Sequence, residues 1–267
     1  MIPKILEKYK SELESHRRDS IIISENELNL LSPDPLDFKI SKYLGYPFIP
    51  LTMEYPKDKN GNVLVPTVQI NFAEIPKSDL FPEKGILQIF LNQHFNFGKE
   101  DCFVQYITEE QLELPCIEDF SFLKDEFYSN NPFKSIYTLN FGKSFSWASV
   151  TDSQYQFQCE EFDDLSIEEY MWELLDEDED SYDEFSEFFT GESMGSKLGG
   201  YGYFIHGDFR KIENRIKDYI LLLQIDGSDE AVYNGEQYVY LHLFISKEDL
   251  SNLDFSNVYV DWEVSDN

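Results

Sequence analysis

The sequence predicts an α+β protein that is mainly antiparallel β, with a roll-like core of two pseudo-repeated β units and peripheral helices. Three observations carry that expectation. Runs rich in β-branched and aromatic residues recur at about 64–71, 85–92, 102–107, 219–226, 238–245 and 257–263, each bounded by Gly, Pro, Asn or Asp. A segment beginning near residue 45 recurs near residue 200. The 23 Phe, 17 Tyr and 3 Trp supply enough bulky apolar surface for a packed core despite a formal net charge of −31.

From the N-terminus, Ile2, Ile5, Leu6, Tyr9 and Leu13 fall on one stripe at helical spacing and predict an amphipathic helix over 2–15. Ile21 to Ile23 form a short β-branched run, after which Pro33, Asp34 and Pro35 break regular structure ahead of Gly45-Tyr46-Pro47. Residues 47–56 read as extended. In Lys57 to Asn62, the pair Asn60-Gly61 supplies the positive φ angles of a tight hairpin turn. The predicted strands follow, interrupted by an acidic insert at about 108–195 that reads as helical. Within it Ser166 and Glu169 spell a capping box ahead of Ile167, Tyr170, Met171, Leu174 and Leu175 at helical spacing. The expected organisation is one domain, 1–267, with pseudo-repeat 1 at about 43–107 and pseudo-repeat 2 at about 197–264.

The repeat is the most informative feature. A shift of 155 residues lays Gly45-Tyr46-Pro47-Phe48 over Gly200-Tyr201-Gly202-Tyr203, and Gln69-Ile70-Asn71 over Gln224-Ile225-Asp226. One residue of slippage then lays Leu87 to Asn92 over Leu241 to Ser246. Apolar alternation alone does not place a Gln before an Ile at matched distance from a Gly. An amide inside an apolar strand must find partners or cost about 1–3 kcal/mol. Gln69 and Gln224 are therefore expected to tie their strands to neighbouring loops, or else to face a ligand cleft between the copies, flanked by His206, Asp208 and Arg210.

The net charge repels phosphate backbones and anionic membrane surfaces, which argues against nucleic acid and membrane partners. Cys102, Cys116 and Cys159 are odd in number and widely spaced, which fits neither a disulfide framework nor a zinc cage. No apolar run of membrane-spanning length occurs, so the expected compartment is the cytoplasm. Nothing in the sequence calls for a cofactor.

Several short patterns spell chemistry. Asp176, Asp178, Asp180 and Glu187 occupy positions 1, 3, 5 and 12 of a calcium loop, but Ser181 stands where that loop needs Gly. The same run, Asp176-Glu177-Asp178-Glu179-Asp180, reads more simply as a solvated acidic surface, or as the face that engages a basic protein. Gly191-Glu192-Ser193-Met194-Gly195 has the spelling of a nucleophile elbow without the strand-turn-helix context. His206, Asp208 and His242 have the ligand types of a two-His, one-carboxylate iron site, although His242 reads better as a hydrogen-bonded structural residue.

Gly45-Tyr46-Pro47-Phe48-Ile49-Pro50, Val68-Gln69-Ile70-Asn71-Phe72-Ala73-Glu74-Ile75-Pro76, Phe81 to Phe90 and Lys197-Leu198-Gly199-Gly200-Tyr201 together resemble the YwqG-like family of bacterial proteins over most of the chain. The resemblance implies a mainly β, roll-like fold with helices around it and no established activity. Leu44-Gly45 departs from the family's common Gly-Gly pair, and Asn234-Gly235-Glu236 from its Trp-Gly-Asp type turn. The expected function is that of a non-enzymatic acidic protein of the adaptor or toxin-neutralising type. The alternative is a small-ligand or metal-binding domain with a cleft between the two β units, and a hydrolase built on Ser193 is the third class.

Overall fold

The computed structural model describes residues 2–93, 102–128, 131–147, 149, 151–154, 169, 172–173, 179–191, 193–229, 232 and 238–265. Ten strands are found there: β1 (Arg18–Glu27), β2 (Lys42–Tyr43), β3 (Val65–Asn71), β4 (Ile86–Leu91), β5 (Cys102–Ile107), β6 (Tyr137–Ser146), β7 (Lys197–Gly199), β8 (Ile220–Ile225), β9 (Val239–Ile245) and β10 (Tyr259–Val264). They form a mainly antiparallel, nearly closed sheet in the order β10-β9-β8-β7-β1-β6-β2-β3-β4-β5. The long pair β1 and β6, in register from Arg18 opposite Ser146 to Glu27 opposite Tyr137, is its centre. Arms of four strands run outward on either side, β2 to β5 and β7 to β10, in chain order away from the centre.

Period-2 alternation decides which face each residue takes. Tyr43, Val68, Ile70, Leu87 and Ile89 of one arm and Leu198, Leu223, Ile225, Leu241 and Leu243 of the other meet in one core cluster inside the curled sheet, with Ile21, Ile23 and Leu139 from the centre. The curl brings the far ends together. Tyr106 on β5 stacks on Phe255, just ahead of β10, with ring centroids 4.7 Å apart. Both arms also kink at matching places, by irregularities between Pro66 and Val68 on β3 and between Leu221 and Leu223 on β8. On β3 the irregularity accommodates Pro66, which cannot donate to a regular ladder.

Helices are few. The predicted opening helix is a 3-10 turn, Lys4–Tyr9, running into α1 (Lys10–His16), with Leu6, Tyr9 and Leu13 buried. Two further α-helices among the described residues, α2 (Glu179–Gly191) and α3 (Lys247–Ser251), precede β7 and follow β9, and short 3-10 turns occupy several loops. No helix among the described residues is long and apolar enough to cross a membrane. The turn at Lys57 to Asn62 forms, with Gly61 at φ 86° and Asp58 accepting from Asn60 and Asn62 N–H, but it closes only an isolated bridge, Lys57 to Val63.

One expectation is corrected. The region 108–195 is not a helical insert throughout, because residues 137–146 supply β6, which pairs along its whole length with β1 at the middle of the sheet. The predicted capping box falls outside the described residues at Ser166.

After β2 the chain turns through two left-handed residues, Leu44 (φ 56°) and Gly45 (φ 77°); after β7 it does so through Gly199 (φ 69°) and Gly200 (φ 77°). Leu44 bears the strain of a side chain at positive φ while its side chain is buried in the core. At Gly45 a Cβ would collide with the Asp34 carboxylate. Gly45→Ala is therefore expected to lower unfolding stability by roughly 2 kcal/mol through strain and displacement of Asp34. Urea unfolding checks this, and an unchanged midpoint would mean that the turn is not constrained as described.

Candidate functional site

The outer face of each arm carries a cross-strand row of buried polar residues. On the first arm Lys42 stands opposite Gln69, Gln69 opposite Gln88, and Gln88 opposite Gln105. On the second, Lys197 stands opposite Gln224, Gln224 opposite His242, and His242 opposite Asp261. Because the neighbouring positions on each strand fill the core, these residues point away from it, and all but Asp261 are buried. Loops folded back over the sheet do the covering.

Those loops are held by the amides. Gln69 Nε2 donates to the carbonyls of Phe38 and Ile40, both at 2.7 Å, while its Oε1 accepts from Phe48 N–H at 3.1 Å. Gln224 Nε2 donates to the carbonyls of Ser193 (3.0 Å) and Gly195 (2.9 Å), and its Oε1 accepts from Tyr203 N–H at 2.9 Å. Each partner lies 155 residues beyond its counterpart. The same offset relates Ser41 Oγ accepting from Asn71 N–H to Ser196 Oγ accepting from Asp226 N–H. It also relates Ser41 N–H donating to Glu74 to Ser196 N–H donating to Asp229. Gln88 Nε2 donates to Phe48 O (2.9 Å), and His242 Nε2 lies 2.8 Å from Tyr203 O.

Charge is neutralised internally. Lys42 Nζ pairs with Asp34 at 2.7 Å, both side chains fully buried, and burial lowers the Lys42 pKa against the opposing pull of Asp34. Lys197 Nζ donates to Ser193 O. Arg210, fully buried, reaches Asp152 at 2.7 Å and Asp208 at 2.8 Å, donates to Tyr219 O, and lies over the rings of Phe204 and Phe244. Burial alone would raise Asp208, but hydrogen bonds and charge from Arg210 outweigh it and hold that carboxyl below the usual range.

Of the residues expected around a ligand cleft, Gln69 and Gln224 sit on outer faces separated by β7, β1, β6 and β2, so the fold does not bring them together. Asp208 and Arg210 are brought together, but as a buried ion pair. His206 is exposed, with its backbone N–H on Glu263 at 2.9 Å. His242 stacks on Phe204 at 4.8 Å, and with Asp208 engaged by Arg210 the three do not form an iron site. The Ser193 hydroxyl is buried and donates to Thr190 O at 2.8 Å, closing the end of α2 rather than facing a pocket.

The calcium reading is corrected where it is visible. Asp180 and Glu187 lie on the continuous helix α2, whereas a calcium site of that spelling needs its ligands on a twelve-residue loop. Asp176, Glu177 and Asp178 lie outside the described residues, and Glu179 opens α2. Among the described residues no group of three or more His, Cys, Asp or Glu is placed to hold a metal.

Among the cavities lined by the described residues are two that combine a concave wall with polar or charged groups. The larger, about 600 Å³, separates the outermost strands, with Cys102 to Tyr106 on one side and Leu253, Phe255 and Val258 to Val260 on the other. Gln105, the end of the first polar row, lies in its wall; its Nε2 donates to Gln88 Oε1 at 2.6 Å. The smaller, about 310 Å³, lies near the start of β1 and is lined by Arg17, Arg18 and Lys247 over Leu80, Gly200 and Ile220. Only the three-dimensional curl of the sheet assembles either.

The His242 imidazole carries a pH dependence. Burial pushes its pKa from 6.5 down to about 3. Below pH 6.5 the unfolded chain takes up a proton there that the folded chain refuses, so stability falls with pH across that window, by roughly 1.4 kcal/mol per unit. Asp229, raised by burial to about 6, acts in the opposite sense between pH 6 and 3.8. His242→Gln, which copies Gln88 of the first arm, is expected to lose less stability than wild type between pH 6.5 and 4. Thermal unfolding across that range checks it, and parallel curves would contradict it.

A family model described as a domain of unknown function, DUF1963, matches residues 41–263, from the start of the first arm to the last strand of the second. YwqG-like proteins fall within that family. No curated protein matches the chain.

Proposed function

Since the chain belongs to the DUF1963 family, a domain of unknown function, we propose from its geometry that it is a non-enzymatic binding protein. In this reading it takes up an extended, cationic segment of a partner protein between β5 and β10. The observation that carries this is the gap itself: two strand edges, neither paired on its outer side among the described residues, face one another across a groove of about 600 Å³.

An unpaired edge presents backbone donors and acceptors that an added strand satisfies. Protected edges usually carry Lys or Pro, and neither occurs in Cys102–Ile107 or Tyr259–Val264. Apolar side chains on both sides, among them Val104 and Val260, offer pockets for alternate residues of the incoming segment. Charge favours a basic one. No Lys or Arg occurs in residues 101–123 or 248–267, so the flanks of both edges are carboxylate-rich, with Glu109, Glu110 and Asp254 exposed.

In the same reading the two arms descend from a duplication, supported by the hydrogen bonds recurring at one offset and the matching irregularities in β3 and β8. The groove then lies between pseudo-equivalent outer strands of a single 1–267 domain. The short motifs quoted above support a place among the YwqG-like proteins, and the acidic composition and sparse cysteines fit a cytoplasmic adaptor or toxin-neutralising role. The acidic run Asp176 to Asp180 is an auxiliary contact for the same basic partner.

A fluorescent nine-residue peptide alternating Val or Thr with Lys is expected to bind wild-type protein at low salt, more weakly at moderate salt, and poorly once alternate backbone nitrogens are methylated. Phe103→Lys with Ser256→Lys, both at exposed positions beside the groove, should weaken it further by charge. Fluorescence anisotropy checks this; binding indifferent to methylation and to these substitutions would overturn the reading.

A further inference from the structure

In a chain with 52 acidic and 21 basic residues, cations are scarce, and several of those described are already paired with carboxylates. Lys42 pairs with Asp34, Lys77 with Glu83, Lys84 with Glu109, Arg210 with Asp152 and Asp208, and Arg215 with Glu213. Arg17, Arg18 and Lys247 form no ion pair among the described residues, yet all three converge on the 310 Å³ cavity. The one carboxylate in its lining, Asp19, lies 4.0 Å from Lys143.

The guanidinium groups are held without being neutralised. Arg17 lies 4.2 Å over the Phe145 ring and Arg18 4.1 Å over the Tyr201 ring, an arrangement that fixes the planar group through its face and leaves edge N–H donors available. Arg18 Nη1 donates to Gln154 Oε1 at 3.0 Å, and the side chain also hydrogen-bonds the Tyr201 phenol. The rest of the lining is largely apolar, through Leu80, Ile220 and Leu221. The cavity is at the small end of the range for ligand sites.

We infer that this cavity binds a small organic anion, a carboxylate or phosphate monoester bearing an apolar group, with its charge between Arg17, Arg18 and Lys247 and its apolar part on Leu80 and Ile220. Bidentate N–H pairs match either anion, and the cationic cluster opposes the field of the rest of the molecule, so it concentrates anions that the surface otherwise repels. The site is separate from the groove between β5 and β10 and stands independently of the function proposed for it.

Calorimetric titration at low ionic strength with octanoate, phenyl phosphate and inorganic phosphate tests the inference. Wild type is expected to bind octanoate or phenyl phosphate saturably at a single site, whichever of the two binds more tightly identifying the head group. The double variant Arg17→Gln with Lys247→Gln, both exposed positions, should bind roughly tenfold or more weakly while keeping its ligand-free melting temperature. No saturable binding of either organic probe, or equal binding by the double variant, would overturn the assignment. Inorganic phosphate binding as tightly as phenyl phosphate, with no octanoate bound, would overturn the apolar half of it.

Discussion

Two buried glutamines hold this architecture in place. A primary amide on the outer face of a sheet would normally be hydrated, and covering it is tolerable only when its donors and acceptor are met. Gln69 and Gln224 meet theirs with backbone from the segments 38–48 and 193–203, so each loop closes over its arm in one conformation. The left-handed turns at Leu44-Gly45 and Gly199-Gly200 are where the chain reverses to reach that position. Beneath the loops the arms pack a continuous apolar core, and β5 and β10 are the outer strands of the sheet among the described residues.

Electrostatics follows from the same covering. Lys42, Lys197 and Arg210 are enclosed between loop and sheet and compensated locally, by Asp34, by the Ser193 carbonyl and by Asp152 with Asp208. The enclosed ion pairs, Lys42 with Asp34 and Arg210 with Asp152 and Asp208, add little net stability over apolar packing but punish the loss of either partner. They also remove cations from the surface, which sharpens the acidity of the exterior and makes the cluster at Arg17, Arg18 and Lys247 the more unusual.

Much of this was legible in the sequence because it is written in short-range signals. The strands of both arms follow from apolar runs between turn residues, and the matched Gly and Gln spacing pointed to the two residues that fasten the loops. The central strand β6 was not legible. Tyr137 to Ser146 has a half-exposed face, contains Gly142 and lies between two acidic stretches that drew the whole interval into one insert; ten residues of pairing with β1 decide its state. The partner of Arg210 was equally hidden, since Asp152 lies 58 residues away and only the fold joins them. Patterns that matched chemistry by spelling, at Ser193 and at Asp180 with Glu187, gave way because their backbone is helix or helix end.

Whether the two outer edges are open in solution is the point on which the functional account turns, and backbone hydrogen exchange read residue by residue tests it most directly. In the free protein, β5 and β10 should alternate between slow amides bonded to β4 and β9 and fast amides facing the groove, while β3 and β8 stay protected throughout. Adding the cationic strand peptide should slow the fast set alone. Uniform protection of β5 and β10 in the free protein, or no change with peptide at saturating concentration, would contradict the account.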